Sequence, residues 1–245
     1  MSHQHCVTGK IHTGNPVGKD TEVAGRPAYV TGDNKKTALL YIPDVFGHLY
    51  NNHRFLADTY AKELGATVYV GDFLDKTAFY FLTPEQLKNV DFPAFQAANP
   101  KDTRFPQILA VAEELKKTYE KVFVIAYCWG AWGAMMLAAK PGLVDAVSIN
   151  HPSVLEIPGD LERCTVPCLI VAPYTDFAFP QKDRLIAEKI FDEKAQKDQI
   201  FSKIALYPGF THGFTARGDT GDPFTNEAIE DAKNESVMFF RRFLK

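Results

Sequence analysis

With 245 residues, 46% hydrophobic and 23% charged, the chain has the composition of an ordinary globular protein, long enough for one sizeable α/β core or at most two small ones. A formal net charge of -3 gives no electrostatic case for nucleic acid or an anionic membrane as partner, and no apolar run approaches the roughly 20 residues that cross a bilayer. Four cysteines are too few for a disulfide scaffold, and the polar opening MSHQHCVTGKIHTGNP lacks the apolar core of a secretory signal, so reduced thiols in a cytoplasmic setting are expected.

Residues 1–27, rich in Gly, Thr, His and Pro, read as an irregular N-terminal segment or an edge, with Cys6, His3 and His5 in a frayed end. A short strand over 28–31 ends at the Gly32-Asp33-Asn34 turn, and an apolar strand over 37–42 is halted by Pro43. After the loop 43–48, a helix capped by Asn51 or Asn52 runs to Leu64 and ends at Gly65; the strand 67–70 completes a βαβ unit. Residues 73–102 break the rhythm with Phe79, Tyr80, Phe81 and prolines at 84, 93 and 100, the pattern of an excursion over the active-site edge of a sheet. Ile108, Leu109, Val111, Ala112 and Leu115 then recur at helical spacing within 105–119.

The stretch 121–140, KVFVIAYCWGAWGAMMLAAK, organises the rest. Val122 to Ile125 form the unbroken apolar run of a buried parallel strand, and Ala134 to Ala139 are good helix formers. Between them Cys128 is flanked by the small Ala126, Gly130, Ala131 and Gly133, the requirement of a sharp strand-to-helix elbow that pushes its central residue out into solvent. A thiol at a helix N-terminus feels the positive end of the helix dipole, which favours thiolate. Further strands are expected over 144–149, 167–172 and 202–207, and helices over 181–193 and 225–243. Strands alternating with helices predict an α/β fold over 1–245: one domain, a mostly parallel sheet with helices on both faces.

Residues just past the C-terminal ends of parallel strands gather along one edge, and Asp44, Cys128, His151, Asp176 and His212 all hold such positions. The chain order Cys128, Asp176, His212 is that of nucleophile, acid and histidine in α/β-hydrolases. Cys128 would attack an acyl carbon, His212 would carry the proton, and Asp176 would orient the imidazole. The backbone N–H groups of Trp129 and Val45 would receive the oxyanion. Other readings stand beside these: Asp176 as cap of the coming helix, Asp44 as a turn residue, and His151 as a competing base or, more simply, pocket lining. Cys164 and Cys168 lack a second pair or a nearby histidine, so no metal site is expected.

Pro43-Asp44-Val45-Phe46-Gly47, Tyr127-Cys128-Trp129-Gly130, Thr175-Asp176-Phe177-Ala178-Phe179-Pro180 and His212-Gly213-Phe214 together resemble the dienelactone hydrolase family of α/β-hydrolases, and His151-Pro152-Ser153 with His212-Gly213-Phe214-Thr215-Ala216-Arg217-Gly218 are most similar to its fungal and animal branch. The resemblance implies a cofactor-free hydrolase of small esters or lactones. Phe46, Tyr80, Arg104, His151, Phe214 and Arg217 join Asp44 as candidate substrate contacts. Three departures stand out. The first glycine of the elbow is Ala126; aspartate stands at 44 where bacterial members carry glutamate; and the arginine four residues after the histidine is replaced by Ala216, with Arg217 one position later. The sequence leaves open a thioesterase or acyltransferase using the same three residues, a non-catalytic ligand-binding protein on the same scaffold, and a homodimer.

Overall fold

The computed structural model describes residues 9–244, so Cys6, His3 and His5 lie outside the described residues. Eight strands, β1 (Lys19–Val23), β2 (Arg26–Thr31), β3 (Thr37–Ile42), β4 (Thr67–Gly71), β5 (Lys121–Tyr127), β6 (Ala146–Asn150), β7 (Cys168–Thr175) and β8 (Lys203–Thr211), form one sheet in the order 1-2-4-3-5-6-7-8. Strands β3 to β8 run parallel, and the β1–β2 and β2–β4 pairings are antiparallel. The helices are α1 (Asn51–Tyr60), α2 (Pro84–Lys88), α3 (Phe92–Ala98), α4 (Lys101–Thr118), α5 (Ala131–Ala138), α6 (Gly159–Arg163), α7 (Gln181–Asp198), α8 (Phe214–Arg217) and α9 (Pro223–Arg241).

Successive strand residues point to opposite faces, so a strand apolar at every position needs cover on both. In β3 and β5, Leu40, Ile42, Val122 and Val124 join a core completed by Ile108, Met135 and Ile190 of α4, α5 and α7. The alternate residues Leu39, Tyr41, Phe123 and Ile125 join a second core with Leu56 and Tyr60 of α1 and Val237 and Phe240 of α9. Among the described residues no helix is long and apolar enough to cross a membrane.

Several boundaries differ from the sequence expectation for identifiable reasons. Part of the segment read as irregular forms β1, which pairs only with β2 and shows none of the apolar alternation of a half-buried strand. Helix α1 has Tyr50 at its N-cap, without a side-chain cap; Asn52 is instead fully buried, its amide donating to the carbonyls of Lys10 and Ala216. Helix α4 begins at Lys101, ahead of Pro106, because Arg104 is anchored by Asp75, Asn99 and the Leu74 carbonyl. Strand β8 continues past Pro208 and Gly209 to Thr211, which an edge strand tolerates.

Candidate active site

The parallel register brings the chemistry together two strands at a time. Tyr127 of β5 pairs with Asn150 of β6, so the next residues, Cys128 and His151, emerge side by side. Thr175 of β7 pairs with Thr211 of β8, after a register shift at Pro173, and the next residues there are Asp176 and His212. The elbow is a turn of 3-10 helix over Cys128–Gly130 leading directly into α5. Cys128 takes φ = 47°, a left-handed backbone that non-glycine residues hold only where the surroundings enforce it. Gly213, at φ = 93°, turns the chain after His212 into α8.

His212 Nε2 lies 3.0 Å from Cys128 Sγ, while its Nδ1 lies 3.0 and 2.9 Å from the two Asp176 carboxylate oxygens. A carboxylate only accepts, so Nδ1 carries a proton and Nε2 is the ring atom that faces sulfur. Asp176 Oδ1 also accepts from the Ala178 N–H, which closes the turn before α7, whose own N-cap is Pro180. All three side chains are buried. Cys128 is thus not pushed into solvent as the elbow argument expects: it lines a cavity of about 210 Å³ walled by Phe92, Phe95 and Gln96 of the 73–102 excursion, with Ser153, Val154 and Phe177. Val45 and Trp129 line the same cavity. Ser153, which sequence reasoning did not assign to the site, donates its N–H to the Cys128 carbonyl and holds its hydroxyl 3.5 Å from the sulfur.

His151 is fully buried at φ = 36°, with its ring 5.0 Å from that of His212 and edge-on to it. Burial, reinforced by the neighbouring His212, holds its pKa well below the ordinary histidine value. Among the described residues, Cys128, His151 and His212 are the one set of His, Cys and acidic groups close enough to share a metal ion. Cys164 and Cys168 are buried apart from it.

Behind the loop that carries Val45 sits a buried polar relay. The Asp44 carboxylate accepts from the Phe46 N–H, lies 2.7 Å from His53 Nε2 and forms an ion pair with the Arg217 guanidinium. The Tyr41 hydroxyl donates to His53 Nδ1 at 2.8 Å, and burial pushes the His53 pKa down to about 3, which fits a neutral ring donating Nε2–H to Asp44. His53 gave no sequence signal, since nothing in the chain marks which face of α1 meets Asp44.

A model of the dienelactone hydrolase family matches residues 24–244. The chain belongs to that family. As a dienelactone hydrolase family member it is a hydrolase of the carboxylic-ester type with an α/β-hydrolase fold. It is 26% identical to hydrolase pyvD of Aspergillus violaceofuscus, over 99% of this chain and 97% of that protein. It is 24% identical to the carboxymethylenebutenolidase homolog of Homo sapiens, over 93% and 92% respectively. The crystal structure of dienelactone hydrolase from Anabaena variabilis superposes with a TM-score of 0.65, 15% identity and coverage of 96% of this chain and all of that one, which is a likeness of fold.

Several family-derived expectations for substrate contacts meet a different geometry. Arg104 neither borders the Cys128 cavity nor forms a solvated charge; it is buried, ion-paired with Asp75 and bonded to Asn99. Arg217 is turned onto Asp44 with its guanidinium 5.2 Å from the Phe46 ring centre, so Asp44 and Phe46 serve this inner relay. Tyr80 is half exposed and packs on Phe81, and Phe214 packs on Tyr207 and Phe210 along another cleft. Ala126 carries the extra methyl of the elbow at a fully buried position.

Proposed function

We propose that this protein hydrolyses small, uncharged carboxylic esters or lactones, with Cys128 as nucleophile, His212 as general base and acid, and Asp176 as the carboxylate that orients His212. The reading rests above all on the continuous relay from Asp176 through His212 to Cys128, each step 2.9–3.0 Å long. His212 takes the thiol proton as sulfur bonds to the acyl carbon. The carbonyl oxygen then carries negative charge, which the backbone N–H groups of Trp129 and Val45 stabilise. Collapse of this intermediate breaks the ester C–O bond, and His212 returns the proton to the departing alkoxide. Water, deprotonated by the same imidazole, adds to the thioester carbonyl; the C–S bond breaks, the acid leaves, and the imidazolium returns its proton to Cys128 sulfur.

Substrate size and charge follow from the walls. A volume of about 210 Å³ lies below the roughly 300–1,000 Å³ of sites for drug-sized ligands. The cavity is lined largely by Val45, Phe92, Phe95, Trp129, Val154 and Phe177, without a lysine or arginine among its lining residues. Uncharged acyl groups suit such walls better than acidic lactones.

The decisive experiment is turnover by Cys128→Ala on p-nitrophenyl esters of increasing acyl length, alongside neutral and acidic lactones. The expected loss in kcat is at least about 10⁴-fold with the circular dichroism spectrum retained, and the parent should favour the shortest neutral acyl groups. Residual activity within a few-fold of the parent would remove Cys128 from the mechanism.

A further inference from the structure

We propose that Cys128, His151 and His212 form a reversible binding site for a borderline-soft divalent cation of the Zn²⁺ class, which keeps the enzyme inactive while bound. The coordination does not depend on the catalytic reading; only its consequence, loss of turnover, rests on it.

Two independent observations carry the site. First, the sulfur of Cys128 and one ring nitrogen from each histidine all lie within 4.8 Å of one another. Zinc bonds of about 2.3 Å to sulfur and 2.0–2.1 Å to nitrogen, at tetrahedral angles, imply ligand separations of about 3.3–3.6 Å, so side-chain shifts of about an ångström complete the triangle. Second, neither ring nitrogen of His151 has a hydrogen-bond partner among the described residues, although the residue is fully buried. A buried polar group without a partner calls for a ligand, a solvent molecule or a function. The backbone makes a strained φ of 36° to set this ring against His212, anchored by the His151 N–H donating to the Val171 carbonyl at 2.7 Å.

The surroundings suit the chemistry. Asp176 on Nδ1 of His212 supplies the carboxylate–histidine arrangement that orients metal-binding imidazoles. Three protein ligands leave a fourth position towards the cavity for water. Binding displaces the thiol proton of Cys128 to solvent while both imidazoles coordinate as neutral donors; loss of the ion returns the proton to sulfur.

The test uses Co²⁺ as a spectroscopic stand-in for Zn²⁺ on the full chain. Titration should give a 1:1 complex with a thiolate-to-cobalt charge-transfer band and the visible bands of a tetrahedral ion. Zn²⁺ should displace it and lower turnover in proportion, reversed by a chelator. Cys128→Ala should abolish the charge-transfer band, and His151→Gln should weaken Co²⁺ affinity at least tenfold, each in protein whose thermal melt remains cooperative. A charge-transfer band that survives Cys128→Ala, an affinity unchanged in His151→Gln, or no 1:1 complex in the parent would each overturn the proposal. If the metal behaves as expected while Cys128→Ala still turns over ester, the catalytic reading fails and the metal site stands.

Discussion

Asp44 is a fully buried carboxylate with Arg217 on one oxygen and His53 on the other. Coulomb attraction between such groups is offset by the loss of hydration, so the pair adds little net stability, but removing one partner strands the other. Arg217→Ala is therefore expected to cost about 3–5 kcal/mol in urea unfolding, whereas the double variant Asp44→Asn/Arg217→Met should recover a good part of that loss. Lysine should not rescue the position, since the guanidinium also sits over the Phe46 ring. Asp44 immediately precedes Val45, so the proposed oxyanion donor depends on the same pair. In folded Arg217→Lys protein, kcat should fall while KM changes little; a fall confined to KM would show that the pair does not position that loop.

At the scale of elements, the elbow is where strand and helix press closest, and two glycines separate backbone from side-chain crowding. A Cβ at Gly130 would lie 2.6 Å from the Ile42 carbonyl oxygen and 2.9 Å from that of Pro43, both backbone atoms of the strand and loop that lead to Asp44. A Cβ at Gly133 would crowd the end of the Ile108 side chain at 2.7 Å, which can turn away, and otherwise make ordinary contacts at 3.7 Å or more. Gly130→Ala should thus cost at least about 1–3 kcal/mol and displace Cys128, the proposed nucleophile, with a large loss of activity. Gly133→Ala should stay within about 1 kcal/mol of the parent, because the helix-propensity gain of alanine offsets the repacking. Equal melting temperatures for the two variants would contradict this picture of the elbow. The same crowding made the elbow legible in the sequence, because only small residues fit two positions either side of Cys128, at Ala126 and Gly130. The unbroken apolar strands β3 and β5 were legible for a related reason: burial on both faces leaves no room for polar residues. Strand β1 was not, since a polar edge strand carries no pattern. The continuation of β8 through Pro208 was hidden too, because tolerance of proline depends on which neighbour the strand lacks. Arg104, Arg217, Tyr80 and Phe214 were harder still. Their positions along the chain place them near the active edge, but the direction of each side chain is decided by partners, Asp75 and Asp44 among them, that come from distant segments.

For the molecule as a whole, both faces of the sheet are sealed by helices, and that sealing traps histidines in their neutral form. Burial holds His53 at about 3 and His151 well below its ordinary value, against 6.5 for each in the unfolded chain. Between those limits the unfolded chain binds protons that the native protein does not, so unfolding is favoured as the pH falls. The contribution is complete above about pH 6.5 and is lost progressively towards pH 3, with a slope approaching about 1.4 kcal/mol per pH unit for each histidine. Aspartates enter lower down. At Asp145 burial raises the pKa, but the Val122 N–H, Lys116 and Lys121 outweigh it, so its contribution is present above its unfolded value of 3.8 and lost below. Between pH 6 and 4.5 the histidines therefore dominate the change, with Glu156, whose ordinary value is 4.5, entering only at the lower edge. The Asp44 carboxylate 2.7 Å from His53 would draw a proton onto the ring, but Arg217 already balances that charge. His53→Gln, which retains an N–H donor for Asp44 and does not titrate, should lower stability at pH 7.5 yet flatten the decline between pH 6 and 4.5 by about 1.4 kcal/mol per unit. Urea unfolding of parent and variant across that range is the measurement. Parallel curves would mean that His53 is already protonated in the native protein, and that the relay behind the Val45 loop carries a charge the geometry does not provide for.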